Sequence, residues 1–583
     1  MKNNYLWTGR GWQMILLLFS ICFTARAQAP NWQAGVTALS TGSGSYGNAV
    51  LDVRTDASGN VYLTGQFYGS IQLGSITLPG TGGGSNLYVA KWSRATGTYI
   101  WAVAAGAGGD MIGWRLALSG SSVYVVGHFT GGTATFGTTA LTNGSSTTST
   151  ADGFIAKLTD AGSSASFTWA QRLGGLGSDE AYGLAASGSS VYVAGFYSGS
   201  GSFGSTTLAS AGNTDAYVAK LTDTGSAATF GWAVRAGGTG VDEAYNLALS
   251  GSTLYLTGAF TGAGTFGAST LTSVGSTDGF VAKLTDAGSS ATFSWAQALG
   301  GSSSDETISA TVSGGSVYVT GYFYSPTCTV GSTTLTNAGG NTGTIDVFVA
   351  KLTDAGSTGS FTWAQRMGGP LDENIVTVAV SGSKVYTVGS FGYSSSNATV
   401  VSQATFGSST VTSAGGRDVF VTRLTDMGST ASFDWVQRAG GTTNDYGNAL
   451  ALSGTSVYAV GFFNSASITF GASTLTNSYG SLGASASFLA YLTDPVLPTR
   501  AATALVGASI YPNPARGIAT VRVPAGLVPA TLTLLDALGR TVRTATAPTS
   551  QDFPLDLTGL APGVYALRVQ VGEGQAVQRL VAE

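Results

Sequence analysis

The 583-residue chain is poor in cysteine, histidine and charge. Lys, Arg, Asp and Glu make up 9% of it, compared with about 25% in an average soluble protein. No cluster of basic residues occurs, which argues against a nucleic-acid partner. The two cysteines are Cys22, in an N-terminal apolar run, and Cys328. An intramolecular disulfide is therefore not expected in the mature chain, and stability must come from burial of its 43% hydrophobic residues.

The N-terminus has the pattern of a secretory signal peptide. Lys2 and Arg10 precede the apolar run 14–23, which is followed by the small-residue motif ARAQA. This run is about half of the ~20 residues that span a bilayer, and no other run is long and apolar enough to do so. Cys22 raises the alternative of a lipoprotein, but its flanking residues fit a lipidation site poorly. We expect ordinary cleavage of a signal peptide at 1–29 and no transmembrane span.

A repeat of 63 to 72 residues fills most of the chain. Each copy holds four alternating apolar segments, typified by AYGLAAS, SVYVAGFY, DAYVAKLT and TWAQRL, and turn residues separate them. This pattern predicts four short strands per copy, with a Phe-Gly hairpin between the second and third. The Val-Tyr and Lys strands occur seven times. The Trp strand follows the Lys strand only six times, and an orphan copy around Trp32 stands at the N-terminus.

This displacement of one strand to the opposite terminus is typical of a closed ring. We therefore predict an all-β fold: a seven-bladed β-propeller over residues 30–494, whose N-terminal strand closes the last blade. The small AYGLAAS strand suits the innermost position. The Trp strand is expected at the outer edge, with its Gln and Arg facing water. The motifs DGFVAKLTDAGS, FSWAQ and VYVTG also resemble the seven-bladed β-propeller repeat of bacterial exported proteins, a family that implies the fold but no common activity.

After residue 494 the composition changes. Residues 495–503 contain two prolines and predict a linker, and short apolar runs over 504–583 predict a small Ig-like β-sandwich. This segment resembles the type A C-terminal sorting domain of type IX secretion substrates. The resemblance rests on Tyr511, Pro512, Asn513 and Pro514, on LTGLAPGVYALRV with Gly563 and Tyr565, and on the terminal Arg579, Leu580 and Val581.

That resemblance implies a route and two partners. The signal would carry the chain across the inner membrane, and the type IX machinery would export it to the Gram-negative cell surface or the extracellular space. Cleavage of the tail and attachment to surface lipopolysaccharide commonly follow in the family.

Acidic residues precede the AYGLAAS strand in six copies: Asp110, Asp179, Asp242, Asp305, Asp372 and Asp445. On an innermost strand these carboxylates would ring one mouth of a central channel, where oxygen ligands could hold a hard cation such as Ca²⁺. The alternative is that each Asp caps its own turn by accepting backbone N–H bonds. No other cofactor is predicted.

Residues that break the repeat are the candidates for ligand binding, because a regular motif belongs to the scaffold. They are Trp92, Trp114, Arg115, Tyr322 and Tyr324. Aromatic side chains with an Arg can stack on sugar rings or anchor a protein, whereas local repacking of the core is the alternative explanation.

The residues favour a non-enzymatic module that binds a glycan or a protein. The single histidine, His128, has no partner for a metal site or a catalytic triad, and no pair of carboxylates differs from its copies. The alternative is a hydrolase or lyase acting on an extracellular polysaccharide, since propellers also carry such enzymes.

Overall fold

The computed structural model describes residues 29–40, 48–81, 83–145, 149–340, 343–394, 399–478, 484–495, 497, 503–504, 508–523, 530–536, 541–548, 552–571 and 574–583. Within these residues all regular structure is β-strand, so the predicted all-β class is confirmed. No helix in the described part could cross a membrane. The predicted signal peptide lies outside the described residues except for Ala29.

Seven antiparallel units of four strands follow one another in the described chain, and each begins with a first strand. The second and third strands are buried on both faces, whereas the first hairpin strands alternate between buried and exposed residues. The first strands are β2 (Ala49–Thr55), β8 (Met111–Ser119), β14 (Glu180–Ser187), β20 (Asp242–Ser250), β26 (Asp305–Ser313), β32 (Asp372–Ser381) and β38 (Asp445–Ser453). The second strands are β3 (Val61–Phe67), β9 (Ser122–Phe129), β15 (Ser190–Tyr197), β21 (Thr253–Phe260), β27 (Ser316–Phe323), β33 (Lys384–Tyr393) and β39 (Ser456–Phe463).

The third and fourth strands complete each unit. The third strands are β6 (Asn86–Ser93), β12 (Asp152–Asp160), β18 (Asp215–Asp223), β24 (Asp278–Asp286), β30 (Asp346–Asp354), β36 (Asp418–Asp426) and β42 (Ala486–Thr493). The fourth strands are β7 (Thr98–Ala107), β13 (Ala165–Gly175), β19 (Ala228–Gly238), β25 (Ala291–Leu299), β31 (Gly359–Gly368), β37 (Ala431–Ala439) and, for the seventh unit, β1 (Trp32–Ser40).

The first strands contact one another in a cycle. Each first strand contacts that of the next unit, and β38 contacts β2. Hydrophobic clusters lie between successive units in the same cyclic order, including one between the seventh unit and the first. Burial between units, not within a single sheet, therefore supplies the core.

A hairpin joins the second and third strands of every unit. The hairpins are β4 (Ser70–Leu73) with β5 (Ile76–Pro79), β10 (Thr133–Phe136) with β11 (Thr139–Thr142), β16 (Ser200–Phe203) with β17 (Thr206–Ala209), β22 (Ala263–Phe266) with β23 (Ser269–Thr272), β28 (Thr327–Val330) with β29 (Thr333–Thr336), β34 (Gln403–Phe406) with β35 (Ser409–Thr412), and β40 (Ser467–Phe470) with β41 (Ser473–Thr476).

The hairpins correct one expectation about the outer edge. Each hairpin pairs with the fourth strand of the preceding unit: β10 pairs with β7, β16 with β13, and β4 of the first unit with β1 of the seventh. Where no ladder forms, a single bridge makes the same connection, as between Gly300 and Thr329. The prediction that the Trp strand forms the outer edge is wrong, because a neighbouring hairpin covers part of that edge.

The N-terminal strand pairs with the last third strand, but its register differs from the predicted one. Trp32 pairs with Leu492 and Ala34 with Tyr491. In the second unit Phe167 pairs with Leu158, and Trp169 pairs with Lys157. Trp32 therefore occupies the Phe position of the repeat, and the identification of Trp32 as a copy of the repeat Trp is wrong by two residues. Trp32 packs against Phe470 with ring centroids 5.0 Å apart.

A buried polar network joins most neighbouring units. The carboxylate of Asp223 accepts hydrogen bonds from Tyr124 at 2.7 Å and Trp169 at 3.1 Å, both in the preceding unit. Lys157 Nζ lies 2.6 Å from the same carboxylate. Burial alone would raise the pKa of Asp223, but the bonds from Lys157 and Tyr124 hold it below its ordinary value. Equivalent lysine pairs are made by Asp160, Asp286, Asp354 and Asp426.

The C-terminal segment forms two sheets. One consists of β43 (Thr503–Ala504), β50 (Gly574–Ala582), β49 (Gly563–Val571), β46 (Ala530–Leu535) and β47 (Thr541–Ala547), and the other of β44 (Ser509–Tyr511), β45 (Ile518–Arg522) and β48 (Asp552–Asp556). Buried residues of both sheets, among them Val521, Leu532 and Leu580, form one hydrophobic cluster. Part of the predicted linker, 495–503, lies outside the described residues.

Candidate functional site

Aromatic side chains line the starts of the first strands in successive units, and we call this band the rim. Trp114 packs against Tyr182 with ring centroids 5.4 Å apart, and Tyr182 packs edge-on against Tyr245 at 6.0 Å. All three occupy the bulged position of their first strands, where the register with the second strand shifts. A bulge re-aims a side chain out of the regular pleat. Three consecutive units therefore present aromatic rings side by side.

The aromatic band continues into the later units. Tyr322 and Tyr324 form an edge-on pair with centroids 6.0 Å apart. In the seventh unit Tyr446 stacks on Phe462 at 4.5 Å. The guanidinium of Arg417 lies 5.0 Å from the Tyr446 ring, and this cation–π contact holds a buried arginine beside the band. The predicted ligand residues Trp114, Tyr322 and Tyr324 thus belong to one surface.

Carboxylates alternate with these rings. Three glutamates occupy equivalent positions near the starts of their first strands: Glu180, Glu243 and Glu306. Their partners on the second strands are Phe196, Ala259 and Tyr322, respectively. Tyr245 donates a hydrogen bond to Glu243 at 3.0 Å. Each of these carboxylates is half-buried. The rim therefore combines flat apolar faces with oriented hydrogen-bond acceptors.

The pKa values of these carboxylates are shifted in different directions. Although burial opposes it, the pKa of Glu180 lies below its usual value because of its bond to His128. Burial raises the pKa of Glu243, and the charges of Glu306 and Glu180 raise it further. Burial also raises the pKa of Glu306. Glu180, beside Trp114, is therefore the most acidic of the three carboxylates.

His128 is bound within the rim. Its Nδ1 lies 2.7 Å from Glu180 Oε2 and 3.2 Å from Trp114 Nε1. The indole N–H of Trp114 donates to this nitrogen, so Nδ1 is the acceptor of that bond, and the Glu180 carboxylate lies close beside it. The proximity of Trp114 also helps to lower the pKa of Glu180.

The acids predicted as cation ligands are hydrogen-bonded to backbone. The N–H groups of Gly175, Gly238, Gly301 and Gly441 donate to Asp179, Asp242, Asp305 and Asp445, each four residues further on, at distances from 2.5 to 2.7 Å. Burial raises the pKa of Asp179 and Asp242 to about 6 and that of Asp445 to about 7. These bonds favour the turn-capping alternative. Among the described residues no group of three or more His, Cys, Asp or Glu could hold a metal ion.

Asp110 and Asp372 do not occupy this capping position. In the sixth unit the capping acid is Glu373, whose Oε2 accepts the N–H of Gly369 at 3.0 Å. Asp372 instead accepts the N–H of Ile345 at 3.1 Å. Asp110 makes the equivalent bond, from the N–H of Ser85 at 2.8 Å. The prediction that Asp110 and Asp372 are equivalent to the other four acids is therefore wrong, because each precedes the capping position by one residue.

The other two predicted ligand residues lie elsewhere. Trp92 is 2% exposed and packs edge-on against Tyr458 between the seventh and first units, which favours the core alternative for it. Arg115 is buried and lines a cavity of about 390 Å³ enclosed by the first strands, which we call the first-strand cavity. Cys328 is fully buried, and burial raises the pKa of its thiol.

The sequence pattern did not single out Asp52 and Arg54, which lie beside Arg115. Arg54 Nη1 is 2.7 Å from Asp52 Oδ1, and Arg115 Nη1 is 3.8 Å from the same oxygen. The signal was present: LDVRT is charged where other first strands read YGLAA, YNLAL or NALAL.

The sorting residues converge on the last strand. The side chain of Asn513 donates to the backbone carbonyl of Arg579 at 2.5 Å and accepts the N–H of Val581 at 2.9 Å. Tyr511 donates to Asp552, and Tyr565 donates to the carbonyl of Ala561 at 2.7 Å. Leu580 is fully buried in the shared cluster. The motif near the start of the tail thus contacts the C-terminal strand β50.

Residues 509–583 match the family described as the secretion system C-terminal sorting domain. This confirms the resemblance of the tail, and the domain marks proteins that the type IX system secretes to the cell surface or the extracellular space. The chain is therefore an exported protein that engages the type IX secretion machinery. A comparison with curated proteins finds no match to the chain.

Proposed function

We propose that this protein is an exported seven-bladed β-propeller that binds a glycan at the rim without acting on it. The cyclic contacts of the first strands and the pairing of β1 with β42 support the propeller. The signal at 1–29 starts its export, and the small Ig-like tail completes it, after which the tail is cleaved and the propeller is attached to surface lipopolysaccharide or released.

The observation that carries this proposal is the contiguous row Trp114, Tyr182 and Tyr245 with Glu180 and Glu243 between the rings. Sugar rings present apolar C–H faces that stack on aromatic side chains, and hydroxyl groups that donate to carboxylates. The row extends over three units, so it suits several consecutive sugar residues of a polymer. A protein ligand would occupy the same surface through its own exposed groups.

A glycan array with the purified protein tests the proposal. We expect binding to polysaccharides, and a loss of about fivefold in affinity for Tyr182→Ala, since one stacking contact contributes about 1 kcal/mol. Met427→Ala is the matched control, because Met427 is 57% exposed in the turn after β36, at the opposite end of the strands from the rim. An array without a glycan signal, or equal affinity for the two variants, would contradict glycan binding at the rim.

One observation favours the second candidate, a polysaccharide hydrolase or lyase. The pKa of Glu180 is lowered while those of Glu243 and Glu306 are raised, and neighbouring carboxylates whose pKa values are shifted apart are the arrangement of an acid and a base. Assays of reducing-end release and of unsaturated-product absorbance on the array ligands distinguish the candidates. Turnover that Glu180→Gln and Glu243→Gln both abolish would establish the enzyme and overturn the binding-only proposal.

A further inference from the structure

The first-strand cavity has an asymmetric charge distribution. At the position after the bulge the seven first strands carry Asp52, Arg115, Gly183, Asn246, Ser309, Thr377 and Ala449. Two positions further on, Arg54 stands where the other strands carry Ala or Thr. Among the residues that line the cavity, Arg54 and Arg115 are the ionisable ones. The first two units thus place two cations on one wall.

Arg115 is left without a hydrogen-bond acceptor. It is 9% exposed, and among the described residues its guanidinium makes no hydrogen bond, its one ion pair being the 3.8 Å contact with Asp52 Oδ1. Burial lowers its pKa, since removal from water disfavours the charged form. A guanidinium carries five N–H donors; no nitrogen of Arg115 is among the fully buried unpaired atoms of the described residues, so its unpaired donors are accessible from the cavity.

Asp52 is oriented towards other partners, and its 3.8 Å contact with Arg115 is longer than a hydrogen bond. Oδ1 accepts from Arg54 at 2.7 Å, and Oδ2 accepts the backbone N–H of Leu116 at 2.8 Å. Arg54 also bonds to the carbonyl of Val53 at 2.8 Å. The two arginines and one carboxylate leave a net positive charge on this wall of the cavity.

We propose that the first-strand cavity binds an anionic group, such as a carboxylate, a sulfate or a phosphate, through the guanidinium of Arg115. The planar fork of an arginine pairs with two oxygens of such a group. Arg54 adds a second positive charge, and the polar side chains of Asn246, Ser309 and Thr311 line the same cavity. A volume of about 390 Å³ is within the range of small-ligand sites.

This site uses residues other than the rim and extends the proposed function without depending on it. If the ligand is an acidic polysaccharide, the rim holds its sugar rings and the cavity takes a charged substituent. If the rim binds no glycan, the cavity still takes a free anion. The two proposals therefore fail separately.

Isothermal titration calorimetry of the full chain with sodium sulfate, sodium phosphate and sodium glucuronate, at constant ionic strength set by sodium chloride, tests the site. We expect binding of at least one anion at millimolar or lower concentration, and the comparison between tetrahedral ions and glucuronate identifies the preferred geometry. Absence of heat for all three anions overturns the proposal.

Variants assign the binding to Arg115. Arg115→Ala places there a residue that the seventh unit already carries at this register, Ala449, and it should weaken binding at least about tenfold through loss of the guanidinium bonds. Arg235→Gln is the control. Arg235 lies on the fourth strand β19, pairs with Asp215 and is not part of the cavity lining. Equal affinity of Arg115→Ala and the wild type would overturn the proposal.

A second variant keeps the test decisive if Arg115→Ala does not fold. Asp52→Asn removes the carboxylate that pairs with both arginines and retains an oxygen for the N–H of Leu116. It should bind the anion severalfold more tightly, since it removes a competing negative charge about 4 Å from the guanidinium. Unchanged or weaker binding by a folded Asp52→Asn protein counts against the site.

Discussion

The guanidinium carbon of Arg94 lies 4.1 Å from the centroid of the Tyr491 ring. The register places Arg94 where the second unit has Asp160, and Tyr491 where it has Lys157. At the junction between the seventh and first units, a cation–π contact therefore replaces the lysine–aspartate pair of most other junctions. Ala34 occupies the position of the repeat Trp at the same junction. The lysine, the aspartate and the tryptophan of the usual network are therefore all replaced at this junction.

This relationship predicts a measurable coupling between Arg94 and Tyr491. Because Arg94 is exposed, we expect a coupling energy of about 0.5 to 1 kcal/mol. A double-mutant cycle with Arg94→Ala and Tyr491→Ala, followed by urea denaturation, measures it. Additive effects of the two substitutions would contradict the contact.

Stability should be greatest in mildly acidic solution. The pKa values of Asp160, Asp223 and Asp286 are lowered by their lysine and tyrosine partners against the effect of burial. These groups stabilise the fold above the ordinary carboxyl pKa of about 3.9. Their contribution is lost as the pH falls through the lowered values.

Buried capping acids act in the opposite direction. Burial raises the pKa of Asp179 to about 6 and of Asp445 to about 7, so their contribution is present below about pH 3.9 and is lost as the pH rises through 6 to 7. We expect the melting temperature to peak near pH 4 to 5 and to fall on both sides. Asp445→Asn should reduce the decline between pH 5 and pH 8. A melting temperature that rises steadily from pH 5 to pH 8 would disprove this account.

In the sixth unit, Glu373 should matter more to stability than Asp372. Glu373→Ala leaves the buried N–H of Gly369 without an acceptor, which costs about 2 kcal/mol. Asp372 is less buried, so Asp372→Ala should cost about half as much. Burial and the neighbouring charge of Asp346 raise the pKa of Glu373 well above its usual value, so Glu373→Gln, which keeps an oxygen for the N–H of Gly369, should destabilise the fold less than Glu373→Ala does. Chemical denaturation of the three variants ranks them, and a larger effect of Asp372→Ala would reject the assignment.

Export should depend on the C-terminal strands. Deletion of residues 563–583 removes β49 and β50, and with them part of the shared cluster, so the protein should accumulate in the periplasm. Asn513→Ala removes both bonds to β50 and should reduce export. Tyr565→Phe, which loses one exposed hydrogen bond, is the control. Cell fractionation and immunoblotting measure the distribution, and surface delivery of the truncated chain would exclude the tail as the export signal.

The sequence alone determined the features that depend on local pattern. Period-two alternation and turn residues gave the all-β class, the recurrence of the Val-Tyr and Lys strands gave the repeat, and the displaced N-terminal strand was predicted to pair with the last unit. The sorting tail was recognised from short motifs, of which Asn513 and Leu580 make contacts that explain their presence. The rim was predicted in part, through Trp114, Tyr322 and Tyr324.

Tertiary structure decided whatever depends on register between distant strands. A shift of one or two residues in pairing does not change composition or periodicity, so the sequence could not place Trp32 at the Phe position or Glu373 at the capping position. It also could not show that each hairpin pairs with the preceding unit. The asymmetry of the first-strand cavity arises because two units, separated by a full repeat, bring Asp52 and Arg115 within 3.8 Å. Only the packing of first strand against first strand creates that contact.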